Sequence, residues 1–319
     1  MNFIYVLSSS ETDYYYEQFF LSSASLRLYN PEAHIIVLVD PKTKQNLISK
    51  RTAYEKIVSE IKVIDVPCEL SQKEASRWIK TSIHHYVSGG FLFIDCDTIV
   101  TQKLENSFPL DIHIGAVLDT HVTLDKHHLS KNFQKEDIST HFVSSLKTNT
   151  RFNGGLILYI DHPQANNFFE KWHSLWLQGL KKGCSQDMPS LNQANYELNN
   201  IITELNGEWN CQISHNGLPY LSKAKIIHYY ATSLVSLDPA FKLASQEVFA
   251  IIKENDKLSP EIEFLLENPK TAFEPCSRII SDKETIDAFD NSLFFKFLRY
   301  NKRNPGLLKK IKAFKASLK

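Results

Sequence analysis

Residues 91–100 read FLFIDCDTIV. Four apolar residues run into two aspartates one residue apart, Asp95 and Asp97, and apolar character resumes at Ile99. A short apolar run of this kind reads as a buried strand. Residues i and i+2 of an extended segment point to the same side, so both carboxylates can address one ion. Hard divalent cations such as Mg²⁺ and Mn²⁺ prefer oxygen ligands of this type and accept substrate phosphates as further ones. The plain alternative is a strand that ends in a solvated turn, where aspartate is common.

The segments on either side give the pair a context. FIYVLSS (3–9), HIIVLVD (34–40) and KVIDVP (62–67) read as strands, and HIGAVLD (113–119), FNGGLILYI (152–160) and KIIHYY (225–230) follow as further ones. Helices are expected over 14–30, over 71–88 and over about 164–181. The second of these opens on Ser71 as N-cap, with Glu74 completing a capping box. Strand and helix alternate, and the strands are continuously apolar, which predicts a doubly wound, mostly parallel α/β sheet. Ligands in such sheets bind beyond the carboxyl ends of strands, where Asp95 and Asp97 fall. Residues 120–150 are polar, rich in His and Lys, and read as a mobile loop with one short helix. From Asp238 onward the pattern is helical with Pro breaks. The expected division is therefore a domain over 1–235 and a helical appendage over 236–319.

Composition narrows the function classes. The chain has 319 residues, of which 43% are hydrophobic and 23% charged, as in an ordinary globular protein. Lys+Arg and Asp+Glu are both 36, so overall charge gives no reason to expect a nucleic-acid partner. Five widely spaced cysteines without a CxxC pair fit reduced thiols better than a disulfide framework. The first residues lack the basic and apolar regions of a secretory signal, and no apolar run approaches a membrane span. Both features predict a cytoplasmic protein, free or peripheral on the inner membrane face.

Five segments in order resemble the metal-dependent GT-A glycosyltransferases that use nucleotide sugars, above all glycosyltransferase family 8 and its relatives. They are IYVLSSSETDYYYEQFFLSSASL, SRWIKTSIHHYVSGGFLFIDCDT, RFNGGLIL, QDMPSLN and AKIIHYY, and together they cover about residues 1–235. The resemblance implies a GT-A-like fold and transfer of a hexose from a nucleotide sugar, with a UDP-sugar as the first expectation. The acceptor would be a glycan or a lipid-linked glycan, in the setting of polysaccharide biosynthesis. It further implies that Asp95, Asp97 and His228 hold Mn²⁺ or Mg²⁺. Leu7, Ser8, Ser9 and Tyr15 would meet the nucleotide, with Arg77, Lys80, Cys96 and Gly154 lining the rest of the donor site. Asn153 and Asp187 would act at the reacting sugar.

Each assignment has a plainer competitor. His228 on its own is a strand-end histidine, and Lys80 a solvated residue on an amphipathic helix. NGG (153–155) is also a common turn or bulge signal. Asp187 precedes Pro189 and could serve as a helix N-cap. Trp209 and Asn210 read as structural. Two departures from the family pattern stand out. His228 is followed by YYATSLVSL, without the Gly and Lys that usually hold the diphosphate, and Met188 replaces the Gln that usually follows the Asp.

Family resemblance implies retention at the anomeric carbon. With Asp95 and Asp97 committed to metal, no nucleophile is evident, so front-face attack is expected. A haloacid-dehalogenase-type phosphatase also carries DxD after a strand, but Thr98-Ile99 replaces its Gly-Thr continuation and two or three strands precede the motif. A sugar-phosphate nucleotidyltransferase would show a glycine-rich basic loop after the first strand, where LSSSETDYYY has none. A degenerate nucleotide-sugar-binding protein is the non-enzymatic alternative. In the tail NPGLLKKIKAFKASLK, Leu307, Ile311, Phe314 and Leu318 share one helical face among lysines. That face predicts peripheral contact with an anionic membrane through 305–319.

Overall fold

In chain order the elements are β1 (Asn2–Leu7), α1 (Tyr15–Tyr29), β2 (His34–Val39), α2 (Pro41–Leu47), β3 (Glu60–Val63), α3 (Gln72–Thr81), β4 (Phe91–Ile94) and β5 (Thr98–Val100). Then come β6 (Ile114–Leu118), α4 (Ser130–Thr140), α5 (Ser144–Lys147), β7 (Phe152–Tyr159), α6 (Pro163–Lys181), α7 (Met188–Glu197), β8 (Ile202–Glu204), β9 (Cys211–Gln212), β10 (Ile226–His228), α8 (Gln246–Asn255) and α9 (Pro260–Glu267). This is a computed structural model. It describes residues 1–47, 51–104, 108–109, 112–127, 129–230 and 241–274, with separate positions between 288 and 300.

Seven strands form the central sheet in the order β3-β2-β1-β4-β7-β6-β8. Neighbours pair in parallel except at β7, which runs antiparallel to both β4 and β6. Strands β1, β4 and β7 are buried along nearly their whole length, which is why their sequences are continuously apolar. One face packs α1, with Phe19 and Leu26, against Tyr5, Val37 and Leu92. The other packs α3 and α6, with Ile79, Phe168 and Trp172, against Ile4, Phe93 and Ile157. The mixed α/β layers with a mostly parallel sheet are those expected from the sequence.

A second sheet carries the order β5-β10-β9. Strand β5 starts only four residues after β4 ends, so the Asp95–Asp97 stretch is the turn where the chain leaves one sheet for the other. The segment containing His228 therefore does not close the main sheet as its apolar run had implied. It pairs antiparallel with β5, placing His228 opposite Thr98.

Other boundaries also differ from expectation. The capping box of α3 forms, with Ser71 and Glu74 exchanging side-chain and backbone bonds. The helix stops at Thr81 instead of running to 88, because Thr81 and Ser82 hydroxyls take carbonyls of the preceding turn. A 3₁₀ turn, Ile83–His85, follows. Strand β3 covers Glu60–Val63 instead of 62–67, since its partner β2 runs out at Val39, paired with Val63. Residues 120–150 hold more order than a loop with one helix. They contain α4 and α5, joined through Asp137, whose carboxylate accepts from Ser144 Oγ and Ser145 N.

The chain divides into two units, Met1–Ser277 and Arg278–Lys319. Within the first, α8 and α9 pack near α1: Tyr16 donates to Asp256 Oδ1 at 2.6 Å and Tyr29 to the Leu266 carbonyl at 3.0 Å. In the second, the described positions between 288 and 300 expose Leu293, Phe294, Phe297 and Tyr300. The basic amphipathic face expected at 305–319 lies outside the described residues.

Candidate functional site

The end of β4 delivers Asp95 and Asp97 to a pocket of charge supplied by four other elements. Their carboxylates and a ring nitrogen of His228 form a group whose ligand atoms lie within 4.8 Å of one another. His228 Nε2 is 3.3 Å from Asp97 Oδ1. Its position depends on Gly155 of β7, where a Cβ would sit 2.5 Å from His228 Cε1. The second glycine of NGG is thus explained by close approach of a side chain to the strand.

Arg77 and Lys80 come from α3, one turn apart on one face. Arg77 Nε pairs with Asp187 Oδ1 at 3.0 Å, and Lys80 Nζ pairs with Asp187 Oδ2 at 2.9 Å and with Asp95 Oδ1 at 3.3 Å. Lys80 is thus a buried bridge between two carboxylates, against the plain reading of a solvated lysine. Asp187 occupies the N-cap position of α7, yet its side chain makes no capping bond. Trp172 and Ser190 hold its carbonyl, and its carboxylate is turned wholly to Arg77 and Lys80. Gly154 lies alongside, where a Cβ would come within 3.2 Å of Asp187 Oδ2 and 3.4 Å of Lys80 Nζ.

Burial works against every charge here, and the partners decide the outcome. Burial would raise Asp187, but Lys80 and Arg77 hold it well below the usual carboxylate range. Burial, with Asp97 adding to it, pushes Asp95 up despite Lys80. Asp97 goes down against the cost of burial because His228 faces it, and His228 goes up for the same reason. Three carboxylates thus share Arg77, Lys80 and the His228 ring.

A chain of amides orients the histidine. Asn210 Oδ1 lies 3.0 Å from His228 Nδ1, while Asn210 Nδ2 donates to Asn153 Oδ1 at 2.9 Å. That amide orientation makes Nδ1 the protonated nitrogen and points Nε2 at the carboxylates. Asn153 Nδ2 in turn donates to the Tyr230 hydroxyl at 2.7 Å and to Asp119 Oδ1 at 3.2 Å. Tyr230 stacks on His228 with ring centroids 4.1 Å apart and donates to Gln212 Oε1. Asn210, read from sequence as structural, is therefore part of the site. Tyr230, Gln212 and Asp119 were not singled out at all, and isolated polar residues in strands and turns carry no local pattern that would mark them.

At the end of β1 the candidates lie in a separate network. Ser8 donates to Asp40 and Ser9 to Asp13, which also accepts from Ser10, Gln72 and the Tyr15 amide. Asp13 is another residue the sequence reading passed over. The Leu7 side chain is fully buried in the core, leaving its backbone as the part able to meet a ligand. Cys96 turns toward the Val6 carbonyl, and burial beside Asp95 and Asp97 pushes its thiol well up.

Structural comparison defines the fold. A crystal structure described as the galactosyltransferase LgtC in complex with donor and acceptor sugar analogues aligns with a TM-score of 0.54 at 14% identity, over 83% of this chain and 99% of that one. An active-site mutant of LgtC aligns with a TM-score of 0.55 at 14% identity, over 82% and 99%. Mouse xyloside xylosyltransferase 1 aligns at 0.46 and 14% identity, over 73% and 98%. The first two carry the likeness, which is one of fold: a GT-A-like architecture. No curated protein matches the chain by sequence. The profile of glycosyl transferase family 8 matches residues 9–233, and the chain belongs to that family. It is a glycosyltransferase. Among the described residues, no helix is long and apolar enough to cross a membrane.

Proposed function

We propose that this enzyme transfers a hexose from a nucleotide sugar, a UDP-sugar, to a glycan or lipid-linked acceptor with retention of anomeric configuration. The observation that carries the proposal is the turn of Asp187 away from its capping role and into Arg77 and Lys80, beside Asp95, Asp97 and His228. Two oxygen donors and one imidazole suit a hard divalent ion, Mn²⁺ or Mg²⁺, and the space secured by Gly155 fits that use. Such an ion supplies Lewis-acid stabilisation of a leaving diphosphate.

The roles of the residues follow from their neighbours. Asp95, Asp97 and His228 bind the ion, with Asn210 holding His228 in the ligating tautomer. An ion there would add positive charge beside Arg77 and Lys80, which suits a diphosphate. Lys80 leaves Asp95 for phosphate oxygens once the carboxylate is engaged, and Arg77 keeps Asp187 oriented toward the sugar hydroxyls. Asn153 presents its amide where donor sugar and acceptor meet, next to Gly154. Leu7 through its backbone, with Ser8, Ser9 and Tyr15, receives the nucleotide, and Cys96 borders it. With no carboxylate free to act as nucleophile, the acceptor attacks from the face the diphosphate leaves, and the departing phosphate oxygen takes its proton.

The catalytic region is 1–235, and the tail 305–319 meets an anionic membrane surface. LgtC, crystallised with donor and acceptor sugar analogues, supports the pairing of donor and acceptor. The test is turnover of a panel of nucleotide sugars with and without Mn²⁺, followed by the anomeric configuration of the product. Metal-independent turnover or an inverted linkage would overturn the reading. Tight nucleotide binding without any turnover would make the chain a binding protein.

A further inference from the structure

A second group of metal-ligating side chains lies outside this site. His84 and His85, in the 3₁₀ turn after α3, both reach Glu170 of α6. His84 Nε2 is 3.1 Å and His85 Nε2 3.3 Å from the same oxygen, Glu170 Oε1. Among the described residues, this and the Asp95–Asp97–His228 group are the two whose ligand atoms come within 4.8 Å of one another.

We infer that His84, His85 and Glu170 form a second metal site, selective for a borderline first-row ion such as Zn²⁺. Geometry supports it first. A tetrahedral ion with bonds of about 2.1 Å holds its ligand atoms roughly 3.4 Å apart, close to the two separations observed. Donor chemistry comes next: two imidazoles and one carboxylate suit Zn²⁺, whereas Mg²⁺ and Mn²⁺ prefer the oxygen-rich group. The His84 side chain is only 5% exposed and is packed by the His85 and Phe169 rings at 3.9 and 5.4 Å, so one ligand is already fixed. Among the described residues, no partner holds His84 Nδ1, so no second hydrogen bond pins the ring to the tautomer that would block Nε2. Glu170 and His85 face solvent, which gives the ion an entry path and room for water as a further ligand.

The position gives the ion a task. The turn bearing the histidines directly follows the helix that carries Arg77 and Lys80. Glu170 is on the helix whose Trp172 holds the Asp187 carbonyl. An ion at the three residues would tie these two supports of the charged network together.

Zn²⁺ binding to the full-length chain, measured by equilibrium dialysis with saturating Mg²⁺, tests the assignment. One Zn²⁺ per chain is expected in the wild type and in Asp97→Asn, together with a rise in Tm. His85→Ala and Glu170→Gln alter exposed side chains, so folding is retained, and each should weaken binding by about tenfold or more and remove the Tm rise. Absence of stoichiometric Zn²⁺ would overturn the site. So would equal affinity in both variants, or loss of binding in Asp97→Asn with binding intact in the other two.

Discussion

Two buried ionic groups sit at the same end of the sheet and differ in one respect. Arg51 and Glu17 form a one-to-one pair, Nη2 to Oε1 at 2.9 Å, and Arg51 donates further to Ser9, Ser10 and Asp13. One cation meets one anion. Around Asp187, in contrast, Lys80 serves two carboxylates at once, and the third, Asp97, faces the His228 ring. A closed pair holds structure together. An overcommitted one is ready to exchange partners, and this is what a site for a charged ligand needs.

The largest test of that contrast is Asp97→Asn. A charge pair at about 4 Å and an effective dielectric of about 20 is worth ~4 kcal/mol, so Mn²⁺-dependent sugar transfer should fall by ~10³-fold. The folded state should survive, because the variant relieves crowding of carboxylates. Arg51→Met should do the reverse. Leaving Glu17 buried without its partner costs about 3 kcal/mol of stability in denaturant unfolding, and because Arg51 reaches the site only through Ser9, Ser10 and Asp13, turnover by the remaining folded enzyme falls far less than in Asp97→Asn. A large loss of turnover in well-folded Arg51→Met would erase the distinction.

Asn210→Ala is expected to lie between the two. It removes the acceptor that fixes the His228 tautomer, and Mn²⁺ affinity should drop about 10–100-fold in a metal titration followed by thermal shift, with little change in the Tm of the metal-free chain. The smallest effect is a pH slope. Burial moves His173 down from 6.5 to about 4, with His85 reinforcing it. Between these values the unfolded chain binds the proton and the folded chain does not, so stability declines as pH falls from about 6.5 to about 4. His173→Gln should flatten Tm against pH in that window; an unchanged slope would show that other groups produce it.

Much of this was legible in the sequence because it was local. The apolar runs of β1, β2, β4 and β7, the Ser71–Glu74 capping box and the DxD pair each announce themselves within a few residues. The resemblance to family 8 pointed to Arg77, Asp187 and His228, and the fold brings all three to the same pocket. What stayed hidden is non-local. Strand β5 has three residues and takes its identity from pairing with β10, more than a hundred positions away. Asn210, Tyr230 and Gln212 gain meaning only when folding stacks them around His228 and Asn153. Asp187 shows the intermediate case: its spacing before Pro189 fits a capping residue, and only the approach of α3 turns its carboxylate elsewhere.

The pairing of Thr98 with His228 carries a consequence for how such an enzyme can diversify. The histidine is set opposite the aspartate turn by strand register, so its distance to the carboxylates does not depend on the length of chain between residues 101 and 225. Insertions, deletions or replacement within the helices at 120–150 can therefore leave the three ligands where they are. A slip of a single residue between the two short strands, by contrast, would send the imidazole to the opposite side of the sheet. Loop grafting between relatives should therefore be tolerated wherever it leaves the three residue pairs of β5 and β10, with Gly155 and Asn210, untouched.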